Sequence, residues 1–389
     1  MEFITSDIDQ SYNYVIRNGF HLNENFYNCT GVDGFQLGVP RPWIGSYFLI
    51  VGVFLMIIYL PCLLVICRSD LMKSSCYKIM VWLGVLDICC IFVNSIATGF
   101  LGIQGATLCS YPIFIFSMGA LGCGCWMGSC ATCILLGLNR CCDVNHNIKI
   151  RAIFIGKKIY VTILVPMIYT FYAIFFTKTA SFNSNYMSWF FNPLLPNGRE
   201  VRTFIELVHR QTQFFQATDY VNIQHAINNC VVSGATTLIY TYLCVILFAK
   251  SRYIKSESMT KTQRQVTFSQ LKFKGVQRIQ VFFQSVMICF FNAIAAYIYV
   301  YMQYFTFPPF MILIGQIAWQ WSHGSVCLIY ITMNRTVRRG VIDLFVPVSF
   351  RNKHKIGTYR KEVHRLSIGG TEGKSTIPTQ GTSSGTAIF

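Results

Sequence analysis

The sequence predicts an all-α membrane protein, a seven-transmembrane helix bundle with its N-terminus outside the cell and its C-terminus in the cytoplasm. The first observation behind this prediction is composition. The 389 residues are 53% hydrophobic and only 12% charged, whereas soluble domains carry about 25% charged residues. The second observation is a series of seven long apolar runs, and the third is the placement of basic residues between them. Together they indicate that lipid surrounds most of the fold.

Seven runs of about 20 or more mostly apolar residues supply the predicted helices. Each run is long enough to cross a hydrocarbon core about 30 Å thick. The runs are too long and too continuous for the strands of a membrane barrel, which alternate in character over about 10 residues. The predicted spans are residues 45–67, 76–101, 109–138, 159–177, 229–249, 275–299 and 309–333.

The orientation follows from the basic residues. Of the 32 Lys and Arg residues, 26 fall in segments that this topology places inside and six in segments that it places outside. Cytoplasmic loops of membrane proteins carry such an excess of Lys and Arg. We therefore interpret the net charge of +17 as a topology signal. It does not indicate a surface that binds nucleic acid, and we expect no nucleic-acid partner.

The chain divides into four predicted regions. Residues 1–44 form an extracellular N-terminal segment, which we expect to be loosely ordered, and residues 45–333 form the bundle. Residues 334–350 set apolar and basic residues on opposite helical faces, as in a helix that lies on the membrane surface. Residues 351–389 are polar and of low complexity, and we predict a disordered cytoplasmic tail.

The second outer loop, residues 178–228, is long for a connection between helices. Three consecutive aromatic residues, Trp189, Phe190 and Phe191, precede apolar residues that share one helical face. Two interpretations stay open: an amphipathic lid over an outer cavity, or a loop packed on the helix ends. The residues on the predicted face are Val201, Phe204, Ile205, Val208 and Phe215.

No catalytic motif is found in the sequence. It lacks the zinc-protease, nucleophile-elbow and phosphate-loop patterns. Its 17 cysteines lie mostly within the apolar runs, so they do not form the disulfide framework of a small secreted domain. We predict that the protein is not an enzyme and has no catalytic residue, metal site or cofactor.

Asp87 and His323 are titratable residues inside predicted spans. A carboxylate is costly in hydrocarbon, so Asp87 is expected to face the bundle interior. It is either an ion-binding or switch residue or a structural Asp bonded to Asn94, Ser95 or a polar group of the seventh helix. His323 is either a titrating or ligand-contacting residue or a hydrogen-bonded packing histidine.

Arg140 closes the third span at its cytoplasmic end, within the stretch Asn139-Arg140-Cys141-Cys142-Asp143. An arginine at this position can hold a neighbouring helix and release it on activation. Alternatively, it is an interfacial arginine that reaches toward lipid headgroups.

Cys109 begins the third span on the outer side. The oxidising exterior offers it Cys29 or Cys230 as a disulfide partner. We favour Cys29, because Cys230 is expected within the start of the fifth helix. Asn28 belongs to a glycosylation sequon, Asn28-Cys29-Thr30, on the outer face. A second match, at Asn334, lies inside and should not be used.

Several stretches, in order along the chain, resemble those of the nematode class T serpentine receptors, which are G-protein-coupled-receptor-like chemoreceptors. The resemblance covers about residues 27–345 and is weakest in the second outer loop. The stretches are Tyr27-Asn28-Cys29-Thr30-Gly31, Tyr59-Leu60-Pro61-Cys62, Ser75-Cys76-Tyr77-Lys78-Ile79-Met80, Asn94-Ser95, Thr98-Gly99 and Leu138-Asn139-Arg140.

This resemblance implies chemoreception of small environmental molecules and signalling through a heterotrimeric G protein, in the plasma membrane of sensory neurons. It matches Arg140 to the helix-three arginine of rhodopsin-like receptors and Asp87 to their helix-two aspartate. Three departures put the activation contacts of those receptors in doubt. Asn139 replaces the usual acid, the sixth span lacks a proline, and residues 329–332 replace the helix-seven Asn-Pro-x-x-Tyr pattern.

The hypothesis for function is a chemosensory receptor whose ligand binds between the third, fifth, sixth and seventh helices. Such pockets are mostly apolar with a few polar anchors. The alternative is an ion channel or proton-coupled transporter that uses Asp87 and His323 as a relay. The candidate ligand-binding residues are Gln104, Trp126, Asn292, Tyr297, Gln316, Trp319 and His323.

Overall fold

The structure is a computed structural model that describes residues 7–145, 147–193, 220–256, 261–305 and 307–346. For residues 247–256 and 261–282 it describes the backbone alone. The chain divides into two units, Met1–Arg338 and Arg339–Phe389. The predicted lid face at residues 201–215 and the predicted disordered tail at residues 351–389 lie outside the described residues.

The described chain contains seven long helices, α1 to α7, followed by a short helix α8. The N-terminal segment adds two short helices, Tyr12–Arg17 and Gly34–Leu37. Short 3₁₀ turns lie at Asp70–Lys73, Leu108–Ser110 and Lys149–Phe154. The long helices are α1 (Pro42–Arg68), α2 (Ser75–Gln104), α3 (Pro112–Val144), α4 (Lys158–Phe176), α5 (Ile223–Ser256), α6 (Lys261–Tyr304) and α7 (Phe310–Met333), and α8 is Arg335–Phe345.

Each predicted span corresponds to one of these helices. The helices α1 to α4, α5 over Ile223–Ile246 and α6 over Phe283–Tyr304 are long and apolar enough to cross a membrane. Helix α7 is less apolar because Gln316, Gln320 and His323 lie in its middle, and these three side chains are buried inside the bundle. The α6 helix has 44 residues, about 66 Å at 1.5 Å per residue, so it extends well beyond a hydrocarbon core.

Helix α3 runs through the centre of the bundle, and its glycines let neighbouring segments approach closely. A Cβ atom on Gly119 would lie 1.6 Å from the carbonyl oxygen of Ala180. One on Gly128 would lie 1.9 Å from the hydroxyl of Thr170 on α4. These contacts agree with the packing role that small residues have in membrane helices.

The N-terminal segment, which is described from residue 7, packs over the end of the bundle that carries Cys109, hereafter the outer end. This corrects the expectation of a loose segment. Lys178 is only 2% exposed, and its ammonium lies 3.3 Å from Oδ1 of Asp7. Gln10 accepts a backbone hydrogen bond from Thr179. The segment is ordered because it buries apolar side chains, Val15 and Tyr27 among them, against the bundle.

Tyr27 is the aromatic anchor of this cover. Its ring packs edge to face on Phe116 of α3 with 5.1 Å between centroids. Its hydroxyl donates to Oε1 of Gln10 at 3.4 Å. Burial, with a smaller contribution from nearby Tyr220, raises the pKa of the Tyr27 hydroxyl.

A two-stranded hairpin lies beneath the N-terminal segment at the outer end. Strand β1 (Ser181–Asn183) pairs antiparallel with β2 (Ser188–Phe190). Ser184 in the turn accepts from the backbone of Val39, and Asn185 donates to the carbonyl of Leu37 at 2.9 Å. The hairpin is thereby held between the N-terminal segment and the helices.

Candidate functional site

The middle of α2 departs from regular α-helix. Residues Phe92–Ala97 form a π-helical segment, a feature that is frequent at functional sites. The segment turns Asn94 and Ser95 toward α7. Asn94 donates to the carbonyl of Trp319 at 3.1 Å, and Ser95 accepts from Gln320 at 3.0 Å. The irregular segment therefore supplies polar contacts that join α2 to α7 inside the bundle.

The hairpin is bonded to the same contacts from the outer side. The indole of Trp189 donates to the hydroxyl of Thr98 at 2.9 Å. Gln316 donates to the carbonyl of Asn94 at 3.0 Å and lies 3.4 Å from the Thr98 hydroxyl. Ser188 donates to Gln316 at 3.4 Å. The hairpin is thus bonded directly to both α2 and α7.

An aromatic cluster lies between α3, α5, α6 and α7. Trp126 of α3 packs edge to face on Tyr299 of α6, with centroids 5.6 Å apart, and on His323 of α7, with centroids 5.9 Å apart. His225 of α5 packs on Tyr299 at 6.2 Å and on Phe191 of the outer loop at 5.2 Å. Hereafter the aromatic cluster means these five residues together with Trp319, which shares a buried apolar cluster with Trp126.

Asn229 supplies a polar contact at the edge of the cluster. Its Oδ1 accepts from the indole of Trp126 at 2.9 Å. Its Nδ2 lies 3.4 Å from Nδ1 of His225, one turn away on α5. Asn229 thereby holds both rings in position.

Asp87, Tyr59 and His323 form a buried triad beside the cluster. Nδ1 of His323 lies 2.7 Å from Oδ1 of Asp87, and the Tyr59 hydroxyl donates to Oδ2. All three side chains are buried. The predicted position of Asp87 in the bundle interior holds, and its partner is a polar group of the seventh helix. Both carboxylate oxygens are bonded within the protein.

Two nitrogens near the cluster are buried without a hydrogen-bond partner among the described residues. They are Nε1 of Trp319 and Nε2 of His323. Buried polar groups in proteins are nearly always bonded, so each such atom needs an explanation. The two residues are one turn apart on α7, which places both nitrogens on one stretch of the helix.

The other predicted ligand-binding residues are distributed more widely. Asn292 is buried and accepts from the thiol of Cys130 at 3.6 Å. Gln316 is engaged with α2 and the hairpin. Gln104 is the last residue of α2. Tyr297 is 47% exposed and bonds to the carbonyl of Ser233 on α5. Tyr297 is therefore on the outward side of α6, and the structure does not bring it to the cluster.

Four residues of the site were not among the sequence-based candidates: Tyr59, His225, Asn229 and Tyr299. His225 and Asn229 have a detectable signal, because two polar residues four apart share one face of a helix. The predicted fifth span began at residue 229 and so excluded His225. The positions of Tyr59 and Tyr299 depend on helix rotation, which apolar runs do not specify.

Arg140 lies at the opposite, inner end of the bundle and is 6% exposed. Its Nη1 lies 3.1 Å from Oδ2 of Asp143, one turn further along α3. Its Nη2 donates to Oδ1 of Asn139 at 3.0 Å, and Asn139 donates to Ser75 of α2 at 2.9 Å. The acid that pairs with Arg140 thus follows it in the chain, while Asn139 joins α3 to α2.

Asn334 joins three helices at the same end. Its Nδ2 donates to the hydroxyl of Tyr77 on α2 at 2.7 Å and to Gln284 on α6 at 3.4 Å. Its Oδ1 accepts from the backbone of Thr336 and Val337 at the start of α8. The sequon at this position is therefore buried in side-chain contacts.

The outer end holds the predicted disulfide. Cys29 and Cys109 are bonded, with 5.3 Å between Cα atoms and a sequence separation of 80. Cys109 lies in the 3₁₀ turn before α3 rather than in the helix itself. Cys230 is exposed on α5. Asn28 is half-buried, and its Oδ1 accepts from the backbone of Thr30 at 2.8 Å.

Comparison with known proteins agrees with this architecture. The family described as "Serpentine type 7TM GPCR chemoreceptor Srt" matches residues 10–276 and 268–354. The Caenorhabditis elegans protein "Serpentine receptor class T-55" is 26% identical over 325 residues, which are 82% of this chain and 80% of that protein. Squid rhodopsin, a solved structure, has the same fold, with a TM-score of 0.51 at 12% identity, over 87% of this chain and 94% of that one. The chain therefore belongs to the Srt family of serpentine seven-transmembrane chemoreceptors.

Proposed function

We propose that this chain is a chemosensory receptor of the plasma membrane of sensory neurons. In this proposal it binds a small environmental molecule at the aromatic cluster and activates a heterotrimeric G protein at the inner end. The N-terminal segment lies outside the cell and α8 lies on the cytoplasmic side, in accordance with the distribution of Lys and Arg.

The observation that carries the proposal is that His323 belongs to both the aromatic cluster and the buried triad. Its ring contacts Trp126 on one side, and its Nδ1 is bonded to Asp87. A molecule that displaces Trp126 or His323 therefore alters the bonding of Asp87 and Tyr59. A ligand shifts a conformational equilibrium when it contacts one state better than the other.

A series of contacts leads from the triad toward the inner end. The Tyr59 ring packs on Tyr330 of α7 with 6.0 Å between centroids. Four residues further along the chain, Asn334 binds both α2 and α6. Because Asn334 joins these two helices, a shift of α7 at Tyr330 changes the spacing of helices around Arg140. That region is where a G protein would bind in this proposal.

The experiment that tests the proposal is nucleotide exchange on a heterotrimeric G protein in cells that express this chain. The screen uses pooled volatile and water-soluble small molecules, with Arg140→Ala as control. We expect a response that is lost in the variant at equal surface expression. Silence from a correctly inserted protein, together with an ion flux that Asp87→Asn abolishes, would instead support a channel or proton-coupled transporter.

A further inference from the structure

The bonding state of the groups around the aromatic cluster restricts the chemistry of what can bind there. From it we infer that the ligand is a small uncharged molecule with an apolar body and one hydrogen-bond acceptor, which receives the unpaired indole N–H of Trp319. This inference rests on the proposed ligand site and specifies the class of molecule that the site takes.

Charge is the first restriction. Within the described parts of the seven helices, Asp87 is the one acidic residue away from the terminal turns. His323 occupies its Oδ1 and Tyr59 its Oδ2. A cationic ligand would have to break this bonding to reach a counter-ion. Because a buried charge without a paired partner is costly, amines are disfavoured.

An anionic ligand meets the same difficulty. Lys178, the buried cation nearest in sequence to the loop aromatics, is at the outer end and is paired with Asp7. The cluster itself consists of aromatic rings, and His225 and His323 are its members that could carry a positive charge. Burial without a fixed cation makes a carboxylate ligand costly, since a charge that leaves water needs a paired partner.

Hydrogen bonding is the second restriction. The indole N–H is a donor only, so the unpartnered Nε1 of Trp319 can be satisfied by an acceptor alone. The carbonyl of Trp319 is already occupied by Asn94, and its six-membered ring packs toward Gly122 of α3. The other two indoles of the site, Trp126 and Trp189, have partners within the protein. Trp319 is thus the indole whose donor is left for a ligand.

Size and shape are the third restriction. The rings of the cluster contact one another edge to face with centroids 5.2 to 6.2 Å apart. A ligand has to part these rings, so a small flat molecule is accommodated most easily. Aromatic ketones, aldehydes and esters have this combination of features.

Four probes that share a phenyl ring test the inference. Acetophenone is neutral with an acceptor, ethylbenzene is neutral without one, 1-phenylethylamine is a cation and benzoate is an anion. Dissociation constants come from titrated thermal stabilisation of the full-length protein in lipid nanodiscs. We expect acetophenone to bind about three- to tenfold more tightly than ethylbenzene, the range expected for one hydrogen bond. We expect the charged probes to bind more weakly than either.

Two matched variants locate the donor. Trp319→Phe removes the N–H and keeps an aromatic ring, and we expect it to abolish the advantage of acetophenone over ethylbenzene. Trp321→Phe removes a half-buried indole that donates to the Tyr47 hydroxyl at 3.1 Å, and it should keep the advantage. If Trp319→Phe does not fold, the comparison of the four probes in the unmodified protein still tests the inference.

Three results would overturn the inference: tighter binding of either charged probe than of acetophenone, an intact advantage in Trp319→Phe, or no binding by acetophenone or by larger neutral ketones and esters. Nucleotide exchange on the G protein, measured with the same probes, distinguishes a failure of the inferred ligand class from a failure of the proposed receptor function. Neutral acceptors that bind without exchange would leave the ligand class standing and contradict the receptor function. Nucleotide exchange evoked by charged molecules alone would support the receptor function and contradict the inferred ligand class.

Discussion

His323 of α7 and Asp87 of α2 are paired inside the bundle, with 2.7 Å between Nδ1 and Oδ1 and a sequence separation of 236. Tyr59 of α1 bonds the other carboxylate oxygen. The pair therefore joins three helices through one side chain. It also places a titratable group directly beside the aromatic cluster, which makes the triad the natural first target for mutation.

The triad should behave as one unit. We expect Tyr59→Phe and Asp87→Asn each to lower the free energy of unfolding by about 1–3 kcal/mol, because each leaves a buried polar partner unsatisfied. The double variant should lose less than the sum of the two, since the groups share one network. Denaturant unfolding of the purified protein in lipid measures this, and additive losses would show that the two residues act independently.

Gly119 should not tolerate a side chain. Because a Cβ there would meet the Ala180 backbone oxygen at 1.6 Å, Gly119→Ala has to displace either α3 or the segment that precedes β1. We expect a loss of about 1–3 kcal/mol and reduced surface expression.

Gly234→Ala on α5 is the matched control for this substitution. Nothing lies within 4 Å of a Cβ at Gly234, and alanine is the better helix former by about 0.5–1 kcal/mol. The control should be neutral or slightly stabilised. Equal thermal stability of the two variants would argue against the close packing of α3 on the outer segment.

The pair formed by Asp7 and Lys178 should hold the N-terminal segment in place. Lys178 is nearly fully buried, whereas Asp7 is 17% exposed on its side chain. Asp7→Asn leaves the ammonium without its charge partner, so we expect faster hydrogen exchange of the backbone over residues 7–18. Glu24→Gln removes an exposed acid from the same segment and should leave exchange unchanged. Similar exchange in both variants would contradict a holding role for the pair.

Asp143 should restrain Arg140 in the inactive receptor. Removal of the Asp143 carboxylate leaves the Arg140 guanidinium with Asn139 as its remaining described partner. Because Arg140 is then less restrained, Asp143→Asn should raise ligand-independent nucleotide exchange. An ion pair with one exposed partner is worth about 1 kcal/mol or less, which corresponds to about a two- to fivefold increase.

The pair of Asp70 with Lys73 offers the control for this effect. It has the same spacing along the chain, an N–O distance of 2.8 Å, and side chains that are 89% and 81% exposed. Asp70→Asn should leave basal exchange unchanged. An unchanged basal rate in Asp143→Asn, at equal expression, would remove the basis for a restraint within α3.

Asn28 reports the orientation of the chain. With the N-terminal segment outside the cell, Asn28 should be glycosylated. Glycosidase treatment should then lower the apparent mass of the wild type but not that of Asn28→Gln. Asn334→Gln should change nothing in this assay, because Asn334 lies on the cytoplasmic side in this topology. A glycan at Asn334 would indicate the reverse orientation.

The sequence correctly predicted the features that depend on local composition. The seven apolar runs locate α1 to α7, and Asp87 lies in the interior because hydrocarbon does not tolerate an exposed carboxylate. It did not distinguish Tyr297 from Tyr299. These residues are two positions apart on α6 and therefore about 200° apart around the helix. One faces outward and the other contacts Trp126.

The N-terminal segment shows the same limit. Its polar composition predicts a loose chain, but Val15 and Tyr27 find apolar partners on helices far along the sequence. The cover over the outer end is therefore a result of packing rather than of local propensity.

The amino-acid sequence by itself determined which segments enter the membrane, since hydropathy depends on the side chains alone. It also determined which titratable groups lie within these segments, Asp87 and His323 among them. The tertiary structure decided that these two meet, that Tyr59 completes the triad, and that the indole of Trp319 is left without a partner. The physical reason is that helix rotation and long-range pairing arise from the packing of all seven helices together, which no single apolar run specifies.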